Sequence, residues 1–444
     1  MADLLDFLFG DYKNPNTRFL EGRQKRKLLN KKNIGVYICE DGNLPEDAQP
    51  HLCLLGGSGA GKTTRYLINS ILSLTTIEKS IIVFDAGGDI FDITSEYASS
   101  IGFKIKVIDF ESQNQLRFNP LHRIKPDDLM GIQMVAQILI TSGEKQNDKN
   151  EFWNASAISI LVLIIEAVVS DNQTTKPKTL ETVYELLNMF CTDEQPLLDA
   201  FMLKHISEKS RTEYLSFVQS QTEKVLMTVL SVCKTALSRT KPLNRLMGEE
   251  SLFFEEIRQI PTIIYLKISE NLISHYSFAI TLFYYQIFQF LMILPKKNEK
   301  YIPVQILADE ANSFKIPDME NLISVLRRRK VFLSTLWQSY SQISSLFGKD
   351  GANTVLGNSS TILVLPGIGS DTADRISHML GTFENEKGYQ QKVMTSREIR
   401  MMKKGTALFI HSNYPPAIVS TKGWYEVRKY RNRANIKKKG GVVS

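Results

Sequence analysis

The stretch that most constrains the fold is HLCLLGGSGAGKTTRYL, residues 51–67. An apolar run enters a glycine-rich loop, and a lysine and two threonines leave it. Residues 56–63 fit the pattern G-x-x-x-x-G-K-[ST] at every position, after a strand-like run and before a helix-like one. Glycines let successive backbone N–H groups turn toward a phosphate, and the helix N-terminus adds its dipole. The sequence therefore predicts a phosphate-binding loop on a strand–loop–helix unit of an α/β fold.

This loop has defined roles for its lysine and its first threonine. Lys62 is expected to reach the β- and γ-phosphates of a nucleotide, and the Thr63 hydroxyl to bind Mg²⁺. A glycine-rich turn without nucleotide is the alternative. The predicted nucleotide-binding residues are Gly56, Gly57, Ser58, Gly59, Ala60, Gly61, Lys62, Thr63 and Thr64.

Apolar runs alternate with segments of helical length on either side of a long helical region. The runs at 51–55, 80–89 and 103–110 predict strands of a parallel sheet covered on both faces. Residues 127–250 have apolar residues at helical spacing instead, which predicts a helical insertion or a separate all-α domain. Strand-like runs then return and bring the sheet to about eight strands: 261–268, 301–310, 331–338, 360–367 and 405–411.

Length and composition predict a folded protein of two or three domains. The chain has 444 residues, of which 43% are hydrophobic and 23% charged. Its four scattered cysteines match no metal pattern and predict a reduced, cytoplasmic protein without a structural metal. The apolar stretches 157–169 and 278–294 are short or carry polar residues, so we expect buried helices and no transmembrane segment.

A second catalytic element is predicted in VQILADEANSF, where Asp309 and Glu310 directly follow an apolar run. Asp309 is expected to hold Mg²⁺ through water, and Glu310 to polarise the attacking water as general base. The alternative is an acid pair that only caps the following helix. Gln338 ends the next strand, where a polar residue in RecA-type motor ATPases touches the γ-phosphate; a solvated strand end is the alternative. Together with the loop, these residues predict hydrolysable ATP and Mg²⁺ as cofactors.

A basic run, Arg327 to Lys330, directly precedes the strand at 331–338. One interpretation is an arginine finger, Arg327 or Arg328, offered to the ATP of a neighbouring subunit in a ring. The other is a solvated positive helix end that suits the helix dipole. The predicted catalytic residues are thus Glu310, Lys62, Gln338, Arg328 and Arg327.

The net charge of +7 is compatible with an anionic partner. No base-reading motif is found, so any nucleic acid bound here is predicted to be contacted through its backbone, independently of base sequence. The basic runs at 23–32 and 428–439 are candidates for DNA or acidic lipid contact, or for solubilising tails. We expect residues 1–35 to be a lead-in segment or exposed helix outside the core, and the last stretch to be a mobile tail.

With these residues placed, the chain resembles the coupling ATPases of type IV secretion, the TraG/TraD-like proteins of conjugation, within the wider FtsK/HerA group of DNA pumps. The resemblance covers roughly residues 45–415, and its most specific block is 307–365, with LADEANSFKIPDMENLISVLRRRKV and the later WQSYSQISSLFGKDGANTVLGNSSTILVL. It implies a RecA-like P-loop ATPase domain with a mainly parallel sheet and an inserted all-α domain, assembled as a hexameric ring. The family's lysine, threonine, acid pair and glutamine carry over to Lys62, Thr63, Asp309, Glu310 and Gln338.

The resemblance also implies a division of the chain. A basic lead-in at 1–45 precedes a nucleotide-binding domain formed by 46–125 and 253–420. The all-α domain occupies 126–252, and a basic tail occupies 421–444.

The activity implied by the resemblance is ATP hydrolysis that moves DNA, with its attached relaxase, toward a secretion channel. The implied partners are single-stranded DNA and a relaxase. Because no transmembrane segment is predicted here, either a membrane-anchored secretion protein docks the chain in trans, or the chain works as a soluble or peripheral motor. The expected location is the cytoplasm, peripheral at the inner face of the cell membrane. Two departures from the family are noted. No transmembrane helix is expected, and FDAGGD stands in place of Asp-Pro-Lys-Gly-Glu, which keeps Asp85 but not the lysine. A cytosolic FtsK/HerA-like translocase and a nucleotide-gated docking protein remain alternatives.

Overall fold

The computed structural model shows a chain folded around a nine-stranded sheet. Two compact units are present: Met1–Lys106, Glu255–Tyr265 and Leu291–Ser444 form unit 1, and Val107–Phe254 and Leu266–Phe290 form unit 2. The structure describes residues 19–33, 35–45, 51–112, 116–142, 151–172, 176–220, 222–244, 246–248, 252–293, 301–309, 319–384 and 387–436.

The strands and helices are numbered in chain order. The strands are β1 Tyr37–Cys39, β2 Gly42–Asn43, β3 Leu52–Leu55, β4 Ser80–Ala86, β5 Lys104–Asp109, β6 Thr262–Ile268, β7 Val304–Ala308, β8 Val331–Trp337, β9 Thr361–Val364, β10 Thr382–Glu384, β11 Gln390–Lys392, β12 Thr406–His411 and β13 Tyr414–Ser420. The helices are α1 Gly22–Leu28, α2 Ile68–Leu72, α3 Asp89–Ser100, α4 Leu129–Thr141, α5 Glu151–Ser170, α6 Leu180–Met189, α7 Gln195–His205, α8 Glu208–Ser220, α9 Glu223–Ser238, α10 Glu256–Gln259, α11 Glu270–Ile273, α12 Ser277–Met292, α13 Met319–Leu326, α14 Tyr340–Asn358, α15 Ser370–Leu380, α16 Ser396–Arg400 and α17 Arg428–Ala434.

The sheet has the order β13-β12-β9-β3-β8-β7-β4-β6-β5. The pairs from β9 to β4 are parallel, whereas β12 runs antiparallel to both β9 and β13. Every residue of β3 and β7 is buried, as expected for parallel strands covered on both faces. All the predicted strands are found in this sheet, and the predicted α/β class with a mainly parallel sheet is confirmed.

The strand β13 was not predicted from the sequence. It contains Pro415 and Pro416, which argue against a strand because proline cannot donate to the sheet. The position of β13 at the edge of the sheet removes that objection, since an edge strand leaves one side of its backbone without a partner. The tertiary position therefore tolerates a sequence that a central strand would not.

Both basic ends of the described chain pack into unit 1, so the predictions of a lead-in outside the core and a mobile tail are wrong for these residues. Leu20 and Tyr37 are buried in the same apolar cluster as Tyr430 on α17. Both runs contain more charged than apolar residues, so the sequence pattern did not reveal the few side chains that are buried. Arg428 and Lys429 of the basic run remain exposed on α17; residues 437–439 lie outside the described part of the chain.

The helices α4 to α9 lie in unit 2, where α5 packs against the other five. Helix α5 is the one described helix whose length and composition would allow it to cross a membrane, but 56% of its apolar window is buried. Its Glu166 is buried and accepts hydrogen bonds from Ser207 N at 2.8 Å and Ser210 Oγ at 2.6 Å. These contacts place α5 as the central helix of its unit.

Unit 2 also includes residues on both sides of 126–252. The predicted domain boundaries stay a prediction.

The buried His51 before β3 makes the stability of unit 1 sensitive to acid. Its Nδ1 accepts a hydrogen bond from Leu333 N at 3.2 Å, and burial, with the nearby charge of Arg327, lowers its pKa from 6.5 to about 4. Unfolding therefore takes up a proton between those pKa values, and stability falls as the pH falls through this window. In His51→Asn the amide oxygen can accept the same bond, but the side chain does not titrate. We therefore expect the drop in unfolding free energy from about pH 7 to about pH 5 to be about 2 kcal/mol smaller in this variant than in the wild type.

Urea unfolding at a series of pH values measures this difference in slope. His378→Asn is the matched control because His378 is exposed on α15, and it should keep the wild-type slope. An unchanged slope in His51→Asn would contradict the assignment.

Candidate nucleotide-binding site

The glycine-rich loop follows β3 at the carboxyl edge of the sheet. Gly56 N donates to Trp337 O at 3.0 Å, which ties the start of the loop to the end of β8. Gly59 and Gly61 have φ values of +71° and +88°, in the left-handed region that favours glycine. The glycines thus meet a backbone requirement, as the pattern predicted.

Gly57 is fixed by a close approach of two loops. A Cβ atom added to Gly57 would lie 2.4 Å from the carbonyl oxygen of Gly367, in the loop that follows β9. No side chain fits there without moving backbone. The phosphate loop is therefore held by the β9 loop on one side and by β8 on the other.

Lys62 directs its charge into the loop. The side chain is buried, and its Nζ donates to Gly56 O at 3.1 Å. Thr64 Oγ1 lies 3.4 Å from Gly61 O, within the same loop, while Ser58 is exposed at its tip. The loop is thus closed by its own contacts around a buried cation.

The phosphate loop meets the acid strand through one hydrogen bond. Thr63 Oγ1 donates to Asp309 Oδ2 at 2.8 Å, although the two residues are 246 positions apart. Asp309 directly follows β7 and is only 3% exposed. A hydroxyl beside a carboxylate is the kind of oxygen pair that Mg²⁺ accepts, and Lys62 with the glycine N–H groups suits phosphates. These residues therefore fit a nucleotide with Mg²⁺. Glu310 lies outside the described residues, and its role as base stays a prediction.

The structure also brings Gln338 to the loop. Leu55, the last residue of β3, pairs with Trp337, so Gln338 follows β8 beside the start of the loop. Gln338 is half-buried, and its backbone N donates to Gln342 Oε1 at 2.8 Å. Gln338 therefore occupies a position next to the phosphate loop.

Arg327 and Arg328 lie far from the loop of their own chain. They belong to a 3-10 turn that precedes β8, and both are exposed. The seven residues of β8 separate this turn from the carboxyl edge by about 20 Å. The structure therefore does not bring either arginine to the site in the same chain, and an arginine finger could act only on a neighbouring subunit.

The family model described as "Type IV secretory system Conjugative DNA transfer" matches residues 9–388. The chain belongs to this family. It is 23% identical over 383 residues to the VirD4 proteins of Rhizobium rhizogenes and of Agrobacterium fabrum, covering 82% of this chain and 54% and 55% of theirs. The chain thus spans about half the length of the curated relatives it matches.

Solved structures of the plasmid coupling protein TrwB have a similar fold. TrwB with the ATP analogue ADPNP matches with a TM-score of 0.71 and 17% identity, and TrwB with ADP and Mg²⁺ with 0.72 and 16%. Each match covers 91% of this chain and 93% of TrwB. VirB4 of Thermoanaerobacter pseudethanolicus matches more distantly, with a TM-score of 0.54 and 13% identity over 89% of this chain and 98% of VirB4. The predicted family and fold class are confirmed.

Asp85, kept from the family pattern, is the last residue but one of β4 and holds the start of the next helix. Its carboxylate accepts hydrogen bonds from Ile90 N at 3.1 Å and Phe91 N at 2.8 Å. Burial raises its pKa to about 6 despite these bonds. The two glycines that follow, Gly87 and Gly88, have positive φ, so the turn that departs from the family pattern depends on glycine.

Arg65 is a site residue that no sequence pattern revealed. It lies in the π-helical turn Thr63–Leu67 that opens the loop's helix, a feature often found at functional sites. Its buried side chain packs on Gly61, donates to Thr421 O, and pairs with Glu426 Oε2 at 3.2 Å. Its position directly after GKTT was the one available signal, because its partners lie more than 350 residues away.

The approach of Gly57 to the β9 loop predicts that this glycine is essential for binding. Gly57→Ala forces the phosphate loop away from Gly367, and we expect about tenfold weaker nucleotide binding, or a greater loss. Gly369→Ala is the matched control, because a Cβ there meets nothing within 4 Å and its φ is not positive. Titration calorimetry with ADP and Mg²⁺ measures both variants. Equal affinities would rule out the close approach as a determinant of binding.

Proposed function

We propose that this protein is an ATP-hydrolysing coupling protein that moves DNA, with its relaxase, toward a type IV secretion channel. The observation that carries the proposal is the hydrogen bond from Thr63 to Asp309, which joins the phosphate loop to the acid strand. Support comes from the family, described as one of conjugative DNA transfer, and from the TrwB structures that hold an ATP analogue or ADP with Mg²⁺.

Four side chains of this protein have separate roles in the proposed hydrolysis. When bound, ATP would supply the phosphoanhydride bond that water cleaves, and Mg²⁺ would neutralise charge on its phosphates. Lys62 exchanges its bond to Gly56 O for phosphate oxygens and stabilises their developing charge. Thr63 and Asp309 offer their oxygens to the metal, Asp309 through water. Glu310 accepts a proton from the attacking water as general base.

Gln338 connects the site to the motion that follows. Its backbone N donates to Gln342 Oε1, which connects Gln338 to the start of α14. In our proposal the amide contacts the terminal phosphate and loses that contact when the phosphate leaves. Release of the phosphate would thus change the contacts of Gln338 at the end of β8.

The assembly we propose is a homo-hexameric ring. Arg327 and Arg328 are exposed at the edge of the sheet opposite to the site, which leaves them available to the site of a neighbour. The net charge of +7 per chain favours contact with the DNA backbone independently of base sequence. The DNA is proposed to be single-stranded, as the resemblance implies.

The remaining partners and the location of the protein are part of the same proposal, which the family supports. We propose that the transported DNA carries an attached relaxase, and that a membrane-anchored secretion protein binds this chain in trans. The proposed place of action is the cytoplasm, peripheral to the inner face of the cell membrane. Co-purification with a relaxase or with a small membrane protein tests these two partners.

The proposal predicts ATP turnover that single-stranded DNA stimulates. Glu310→Gln should reduce the stimulated turnover by about 100-fold or more, since it removes the general base, while ADP binding is kept. Glu384→Gln, an exposed acid on β10, is the control and should keep wild-type turnover. Phosphate release with and without DNA measures the effect. No turnover of the wild-type protein with any DNA would overturn the motor and favour a nucleotide-gated docking protein.

The arginine turn predicts activity shared between subunits. Arg327→Ala/Arg328→Ala and Glu310→Gln should each be inactive alone, because removal of an arginine finger costs about 1,000-fold or more. A mixture of the two should regain part of the activity, since some sites then combine an intact base with an intact arginine from the neighbour. Arg397→Ala/Arg400→Ala, which removes two exposed charges from α16, should stay active. A mixture without activity, in rings shown to exchange subunits, contradicts the finger in trans.

A further inference from the structure

The sheet order separates the two sides of the phosphate loop. On one side of β3 lie β8 and β7, which end at Gln338 and Asp309. On the other side lie β9, β12 and β13. The two groups outside the loop that suit the metal and the terminal phosphate thus both occur on the β8 side. The terminal phosphate and the nucleoside are opposite ends of a nucleotide. If the terminal phosphate lies on the β8 side, the nucleoside therefore extends toward the β9 side of the loop.

The β12–β13 hairpin brings a turn to the same edge of the sheet, beyond β9. Because β12 is antiparallel to β9, its first residues lie at the carboxyl edge, where Thr406 pairs with Ser420 of β13. Thr421 N donates to Gly405 O at 2.8 Å, which closes the hairpin there. A Cβ on Gly405 would lie 3.8 Å from Arg65 Nη1. The end of this hairpin therefore lies beside the loop's own helix.

Arg65 and Asn69 fix the segment that follows the hairpin onto the loop's helix. The Arg65 guanidinium donates to Thr421 O and pairs with Glu426 Oε2 at 3.2 Å. One helical turn later, Asn69 Nδ2 donates to Lys422 O at 2.8 Å. The Arg65 stem also packs on Gly61 of the phosphate loop. Residues 421–426, which we call the C-terminal turn, are thus tied to the loop by buried side chains.

An aromatic side chain projects from the C-terminal turn. Tyr425 is 47% exposed, and its ring packs on Gly423, where an added Cβ would lie 2.7 Å away. Glu426 Oε2 accepts a hydrogen bond from Gly423 N, so the carboxylate that pairs with Arg65 also shapes the turn that carries Tyr425. The ring is therefore half-exposed on a rigid support next to the loop.

We propose that the C-terminal turn, together with Arg65 and Gly405, forms the nucleoside end of the nucleotide site, where Tyr425 stacks on the base. Arg65 and Glu426 are positioning residues that hold the turn, and Tyr425 is the residue that touches the ligand. Stacking does not distinguish one base from another, since every base has a π-face. The site therefore takes adenine and guanine nucleotides with similar affinity. This inference rests on the proposed function, because it assumes that the phosphate loop binds a nucleotide.

The test separates the two ends of the ligand. ADP and inorganic tripolyphosphate, each with Mg²⁺, are titrated into the full chain by calorimetry. Tyr425→Ala should weaken ADP binding about tenfold and change tripolyphosphate binding by less than about twofold, because only ADP carries a base. Tyr425→Phe keeps the ring and should restore ADP binding. Tyr389→Ala is the control, because Tyr389 is also exposed, at 67%, on a different hairpin.

Glu426→Gln tests the positioning role. It weakens the hold of Arg65 on the turn, so ADP binding should fall while tripolyphosphate binding is kept; a melting curve shows whether the variant is folded. Equal losses for both ligands in Tyr425→Ala, or no loss for either, would overturn the nucleoside site and leave the proposed function standing. A wild-type chain that binds neither ligand would overturn both.

Discussion

The hydrogen bond from Thr63 to Asp309 is the contact on which the rest of the site depends. It forms only if the strands β3 and β7 end at the same edge of one sheet with β8 between them. A buried carboxylate is costly without a partner, and the Thr63 hydroxyl supplies one to Asp309. The order of the parallel strands thus fixes the distance between the loop and the acid, and Gln338 follows β8 at the same edge.

The phosphate loop is held from both of its sides. Toward β8 its backbone bonds to Trp337, and toward β9 it packs on Gly367. The helix that leaves it is covered by chain ends that looked like tails: the ring of Tyr37 lies 6.0 Å from that of Tyr66, and Arg65 holds the C-terminal turn. A loop anchored in this way keeps its shape before a ligand arrives, which reduces the cost of ordering it on binding.

Local patterns predicted the elements well where apolar residues dominate. The strands of the parallel sheet were predicted because their burial on both faces leaves near-continuous apolar runs. The edge strand β13 was missed because of its two prolines, and α17 because four of its seven residues are basic. In each element the few buried residues lie among prolines or basic residues, which are typical of exposed positions. The apolar pattern was therefore too weak to predict the element. The site residues Lys62 and Thr63 were predicted from the loop pattern, and Asp309 and Gln338 because each directly follows an apolar strand.

The sequence by itself determined the chemistry of the loop, since glycine, lysine and threonine at that spacing supply the backbone N–H groups, the charge and the hydroxyl that suit a phosphate and its metal. It also determined which acid follows an apolar strand. Only the tertiary structure decided which of these residues meet, because strand order is set by packing between segments hundreds of residues apart. For the same reason it alone paired Arg65 with Glu426, and set Arg327 and Arg328 at the far end of β8. No local pattern encodes a contact made across the whole length of a chain.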